Sequence, residues 1–236
     1  MQALALPAAR AVVPRAAATT LVLRDGAHGV EVLMVKRSPH ASFMPGAYVF
    51  PGGAVDSADA DAVIDEPREA LARRIGDVTG IGERALACAV AALRECREEC
   101  RLDLGSTRAL QPWSRWVTPL GMPKRFDTVF FVARAPEGQV PRPDEGETTT
   151  LEWVAPLAAL DARAAGTFQM EFATVATVQS LLPFAARTVH DVLEHAAALR
   201  QLAPVHPRLR VDETQRIVGV LLACEPGYDE LAGDGP

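Results

Sequence analysis

Three carboxylates within five residues, Glu95, Glu98 and Glu99, are the side chains of this sequence best suited to chemistry. They lie in AALRECREECRL, residues 91–102, where the spacing of apolar residues predicts a helix over about 83–100. Successive helical residues turn about 100°, so Glu98 and Glu99 fall within about 60° of Glu95 on either side. Leu86, Ala89, Leu93, Cys96 and Cys100 gather on the opposite side. One face is built for burial, and the other carries the acids in a single turn. Only small residues, Cys88, Ala91 and Ala92, precede them on that face and leave room for an approaching group. Two readings fit. A solvated face would have Arg94, Arg97 and Arg101 neutralise the cluster, Arg94 and Glu98 forming an i,i+4 pair. A functional face would offer hard oxygen ligands to Mg²⁺ or Mn²⁺, which carboxylates suit better than thiolates or imidazoles.

A Gly-Gly pair, Gly52-Gly53, stands upstream after Phe50-Pro51. Glycine lets backbone approach a ligand closely, and its carbonyls can complete a metal shell.

The elements that must position these groups read as a mixture of strands and helices, which predicts an α/β fold. Residues 19–24 (TTLVLR) and 30–37 (VEVLMVKR) flank a DGAHG turn, so a hairpin is expected. Tyr48-Val49-Phe50 reads as a short strand feeding a Gly-Gly loop, and a short helix is expected near 67–75. VFFVA (129–133) and LEWV (151–154) read as further strands. Residues 172–202 look helical with a break at Pro183, and residues 203–236 are Pro-rich with one apolar run at 217–223.

With 236 residues, 49% hydrophobic and 23% charged, the chain can bury one sizeable core. A net charge of −6 argues against a nucleic-acid surface, which needs a concentrated basic face. It does not exclude phosphate-bearing substrates, because bound cations supply local positive charge. Cys88, Cys96, Cys100 and Cys224 are too few and too clustered for a disulfide scaffold. Buried thiols in a reducing cytoplasm are expected, with no membrane span. Residues 1–17 read as a loose tail.

Arg94 to Leu102 (RECREECRL), following Gly52-Gly53, resembles the Nudix box, G-x5-E-x7-REUxEExGU with U aliphatic. The resemblance implies a Nudix-like α/β/α sandwich with a mixed β-sheet and a C-terminal helical extension. Its domain would cover 18–165 with an insertion at 54–82, and the extension, 166–236, would pack on it. It further implies Gly52, Glu95, Glu98 and Glu99 as metal ligands, with Arg94 holding a carboxylate in place. Here 40 residues, 54–93, separate Gly53 from Arg94, leaving Asp59 at the position of the motif's isolated Glu. Arg101 replaces the glycine near the helix end, so either Arg101 accepts a left-handed cap or the cap moves towards Gly105.

Leu33-Met34-Val35-Lys36-Arg37-Ser38, Gly46 and Phe50 to Gly53 resemble the extension found in coenzyme A diphosphatases, LLTxRS-x3-R-x3-G-x3-FPGG. Ser42 replaces its second Arg. Trp116 to Pro119 and Arg125 to Phe131 resemble the peroxisomal branch of that family, but the terminal Gly-Asp-Gly-Pro is not a peroxisomal tripeptide, so a cytoplasmic location is expected. The resemblance implies metal-dependent hydrolysis of a diphosphate in a nucleotide-derived small molecule, coenzyme A or acyl-coenzyme A first. Lys36, Arg37 and Arg125 are the expected phosphate contacts. Glu98, Glu99 and, from an acidic loop, Glu145 or Glu147 are the expected catalytic carboxylates. Trp113 and Trp116 are expected in a loop, packing rather than stacking on a base. ADP-ribose, nucleotide sugars, dinucleoside polyphosphates and a non-cutting nucleotide-binding module stay open, as does a homodimer.

Overall fold

The Asp-Gly turn chemistry yields the expected hairpin: β1 (Arg15–Gly26) and β2 (Gly29–Arg37) run antiparallel with Gly26 opposite Gly29. The structure, a computed structural model, describes residues 12–40, 44–144, 146–214 and 216–231. Ser42 and Glu145, both singled out above, lie outside the described residues, as do residues 1–11 of the expected tail. Strand β1 already begins at Arg15, so residues 15–17 belong to the sheet rather than to a tail.

Short strands β3 (Tyr48–Val49) and β4 (Gly52–Ala54) follow. The Gly-Gly pair is therefore strand, not loop, because it hydrogen-bonds along β1 with Gly52 opposite Thr19. Helix α1 (Arg68–Leu71) continues into a wider-wound stretch, Ala72–Asp77, and leads to the long helix α2 (Ala85–Cys100). Then come β5 (Gln111–Val117), β6 (Phe126–Arg134) and β7 (Thr148–Val154). Strand β5 lies where the sequence predicts a loop. Pro112 disguised it, and a proline is tolerated there because β5 is an outer strand of the sheet. Trp113 and Trp116 accordingly sit in a strand.

The sheet is mixed. Strand β6 lies parallel to β1 along one whole edge, from Arg15 opposite Phe126 to Leu23 opposite Arg134. The other edge of β1 is shared by β4 and β2, and β2 in turn pairs with β3 and β7. Alternation along the strands divides the core in two. Val22, Leu33 and Phe131 face α2 with Leu86, Ala89, Cys96 and Cys100. Leu21, Met34 and Val132 face a second helical layer. That layer is α3 (Pro156–Ala164), α4 (Phe172–Ser180) and α5 (Val189–Ala198). This is the α/β/α sandwich expected, with the break at Pro183 in place as a short 3₁₀ turn, Leu182–Phe184. The C-terminal third is not wholly helical: β8 (Arg208–Val211) and β9 (Ile217–Leu221) form a separate two-stranded hairpin.

The inserted residues are clamped to the body. Arg74 donates to Glu66 at 2.6 Å and to the Thr107 carbonyl at 3.0 Å. Arg115 grips both oxygens of Asp127 at 2.7 and 2.8 Å and donates to the Thr79 carbonyl. Arg84 reaches the same carboxylate at 2.9 Å. Cys88, Cys96 and Cys100 are free buried thiols, and burial pushes Cys96 up to about 12. Among the described residues, no helix is long and apolar enough to cross a membrane.

Candidate active site

Helix α2 ends in a left-handed cap at Arg101 (φ 58°, ψ 28°), whose N–H and that of Leu102 close the last turn onto Arg97 and Cys96 carbonyls. The helix therefore stops at the position the motif marks, without shifting to Gly105. Its last turn lays Glu95 and Glu99 against β4. The Gly52 N–H donates to Glu99 Oε2 at 3.0 Å. A Cβ on Gly53 would stand 2.4 Å from Glu95 Oε1, and one on Gly52 would strike Thr19 and the Ala18 carbonyl. Both glycines are required by close approach rather than by an unusual backbone angle.

Arg94 organises the cluster. Its Nη1 donates to Glu95 at 2.7 Å and to Glu98 at 3.0 Å, and its Nη2 to the Ala54 carbonyl at 3.0 Å. Nε and Nη2 together take Asp59, each at 3.1 Å. Asp59 is buried and also accepts the Asp56 N–H at 2.8 Å. So the acid at the motif's isolated position reaches the helix across the insertion. Sequence spacing made it look remote, since the extra residues all fall between Asp59 and Arg94. The solvated-face reading fits only Glu98, which is 57% exposed; Glu99 is 4% exposed and Arg97 turns away to Asp103.

The loop before β7 is tied to the same helix end. Asp144 accepts the N–H groups of Glu147 and Thr148, and Thr148 Oγ1 donates to the Glu99 carbonyl at 3.2 Å. Glu147, exposed at the loop tip, adds its negative field to those of Glu95 and Glu99. Burial above all, with neighbouring like charges, raises both acids, Glu95 against the opposing Arg94 and Glu99, to about 8, against the opposing Gly52 hydrogen bond. The Asp59 hydrogen bonds hold Arg94 charged at any ordinary pH.

Arg37, Gly52, Glu95, Glu98, Glu99 and Glu147 line one cleft of about 790 Å³. Two expected phosphate contacts are not brought there. Lys36 lies on the opposite face of β2, over the Tyr48 ring, because neighbouring strand residues point to opposite faces. Arg125 is buried and donates to the carbonyls of Thr118 and Val12, holding the start of β1. In their place the cleft receives Arg15 and Lys124. Neither carries a motif; Arg15 was hidden by the tail-like composition around it. Trp116 lines the cleft, whereas Trp113 packs beneath α4, its Nε1 donating to Ser180 at 2.8 Å.

Among the described residues no three His, Cys, Asp or Glu side chains already stand in a ligand constellation. One oxygen each of Glu95 and Glu98 rests on Arg94, and one of Glu99 on Gly52. The donor chemistry nevertheless fits a hard divalent cation: clustered, partly desolvated carboxylates beside strand backbone, raised by one another's charge.

A mixed sheet between helical layers, with Arg-Glu and Glu-Glu pairs at a helix end facing a Gly-Gly strand, defines the class of the Nudix hydrolases. The NUDIX domain matches residues 13–171, and the chain belongs to the NUDIX family. It is similar to the human acyl-coenzyme A diphosphatase NUDT19, 27% identical over 204 residues, covering 55% of this chain and 54% of that protein. A nudix hydrolase of Caenorhabditis elegans is 27% identical over 152 residues, 59% of this chain and 51% of its own. The chain thus spans about half the length of the curated relatives it matches. The crystal structure of a NUDIX hydrolase from Alicyclobacillus acidocaldarius aligns with a TM-score of 0.60 at 25% identity, over 81% of this chain and 99% of that one.

Proposed function

We propose that the protein hydrolyses the diphosphate linkage of coenzyme A or acyl-coenzyme A, releasing 3′,5′-ADP and phosphopantetheine or its acyl derivative. The observation that carries this reading is that Arg37, the cation of the coenzyme A-type motif, lines the same cleft as Glu95, Glu98 and Glu99. The named activity of the human relative agrees with it.

Gly52, Glu95, Glu98 and Glu99 would hold Mg²⁺ or Mn²⁺, which neutralises phosphate charge and lowers the pKa of bound water. Arg94, fixed by Asp59, keeps Glu95 and Glu98 aimed at the cleft. Arg37 balances charge on the diphosphate as water attacks one phosphorus and the bridging P–O bond breaks. Glu147, held by the Asp144 turn, or a box carboxylate accepts the water proton. The C-terminal residues belong to the same working unit, since Phe172 of α4 and Val220 of β9 also line the cleft. A small-molecule diphosphate in the cytoplasm, rather than nucleic acid, suits the net charge of −6.

A second reading, hydrolysis of ADP-ribose, a nucleotide sugar or a dinucleoside polyphosphate, is favoured by Ser42 standing where the coenzyme A pattern has Arg. Purified protein incubated with coenzyme A and a panel of nucleoside diphosphate derivatives, with Mg²⁺, Mn²⁺ or EDTA, separates the two by mass spectrometry of products. Metal-dependent 3′,5′-ADP, reduced by orders of magnitude in Glu98→Gln, supports the first. Turnover of another diphosphate alone supports the second. Binding without turnover overturns both.

A further inference from the structure

The cleft has two parts of unlike chemistry, and strand β1 runs along it. Thr19 pairs with Gly52 at the carboxylate end, while Arg15 pairs with Phe126 four residues away. Four residues of strand span about 13 Å. Thr19, Ala17 and Thr128 line the cleft between, together with Phe130 opposite Thr19 and Phe126 opposite Arg15.

Away from the carboxylates the lining turns apolar. Trp116 and Phe172, in edge-to-face contact at 6.0 Å, form one side. Leu209, Ile217 and Val220 of the β8–β9 hairpin form the other, with Leu209 directly opposite Val220. A lone two-stranded hairpin is marginal in water unless it packs on something. This one is fixed at its base: Val205 exchanges hydrogen bonds with Arg115 and Val117 at 2.7 and 2.9 Å, and Tyr228 donates to the His206 carbonyl at 2.6 Å. The hairpin is thus a built wall. Yet it leaves Ile217 53% exposed beside the cleft.

We infer that the β8–β9 hairpin is a specificity element whose Ile217 and Val220, lining the cleft with Phe172, receive a hydrocarbon chain carried by the substrate. The inference rests on the proposed coenzyme A reading and adds to it a residue-level preference for acylated substrate. Branched aliphatic side chains suit a flexible alkyl chain, whereas a nucleobase is better served by a free aromatic face. The Trp116 and Phe172 rings are already engaged with each other. The wall and the carboxylates line one cleft, so with the diphosphate at the carboxylates the acyl chain, borne on the sulfur at the end of the pantetheine arm, meets the wall within the same site.

The test is the dependence of kcat/KM on chain length for coenzyme A and its butyryl, hexanoyl and octanoyl thioesters, read as release of 3′,5′-ADP. Each buried methylene is expected to raise kcat/KM roughly two- to fourfold. Ile217→Asp and Val220→Asp flatten that slope. Val218→Asp, on the same strand, 52% exposed and outside the cleft lining, retains it. If an aspartate variant loses its folded circular dichroism, Val220→Thr, of nearly equal volume, still lowers the slope. Release of 3′,5′-ADP with a flat wild-type series, or with equal slopes in wild type and the Ile217 and Val220 variants, overturns the hairpin assignment and leaves the coenzyme A reading intact. No 3′,5′-ADP from any member overturns both.

Discussion

Asp59 and Arg94 stand 35 positions apart in sequence and form a two-point ion pair, with both N–O distances 3.1 Å. The same guanidinium touches Glu95 and Glu98, so a residue at the edge of an insertion sets the aim of two carboxylates. Asp59→Asn removes charge from that anchor while keeping its shape. Outer partners of this kind are worth roughly 10- to 100-fold in activity. The expected loss is of that size in kcat with KM for substrate little changed, and Asp59→Glu recovers part of it. Steady-state kinetics at saturating metal decide; a change confined to KM would contradict the positioning role.

Glu99 is a nearly buried carboxylate facing like charges, a costly arrangement for stability alone. Glu99→Gln keeps an acceptor for the Gly52 N–H and removes the charge. In EDTA, the variant is expected to gain stability on the order of 1 kcal/mol while losing nearly all hydrolysis. Thermal melts and product assays on the same preparation check both halves.

Arg101 holds a left-handed conformation that glycine adopts freely. Arg101→Gly relieves that strain and is expected to stabilise the protein by up to about 1 kcal/mol. Its side chain is exposed, so turnover should not move. Urea midpoints compared at equal slope give the answer.

Asp127 offers a test by pH. Burial raises its pKa, but the Arg115 and Arg84 hydrogen bonds and charges outweigh this and leave it below the ordinary 3.8. A carboxyl depressed in the folded state contributes stability that is present above its unfolded pKa and lost as pH falls through the folded one. Asp127→Asn is expected to cost about 3 kcal/mol at pH 7. The gap between wild type and variant should close below pH 3.8, as the wild-type carboxyl protonates. A gap that stays constant into acid would show that packing, not charge, holds the insertion.

How far the sequence could be read depended on whether a residue's role is local. The β1–β2 hairpin and the acid trio of α2 follow from turn chemistry and helical periodicity, both written in neighbouring residues. Asp59 was legible only as a spacing because its partner arrives by tertiary folding. Lys36 and Arg37 are adjacent, so only one of them can face the cleft; the alternation is certain from sequence, but which face is buried against α2 is not. Arg125 and Arg15 are similar in composition and opposite in fate. One is buried against carbonyls of the chain, and the other is left at the cleft, an outcome decided by where β6 meets β1.

The parallel pairing of β1 with β6 has a consequence for how the chain acquires its shape. Strand β1, the earliest of the described strands in the chain, is central in the sheet, and its partner along one edge is Phe126–Arg134, made much later. Until then β1 presents unpaired backbone along that edge, a template for mispairing between nascent chains. Contacts so distant in sequence slow the search for the native state. Expression halted before residue 134 should therefore yield aggregation-prone fragments, while the short β1–β2 hairpin can close early, long before the carboxylates have a floor to stand over.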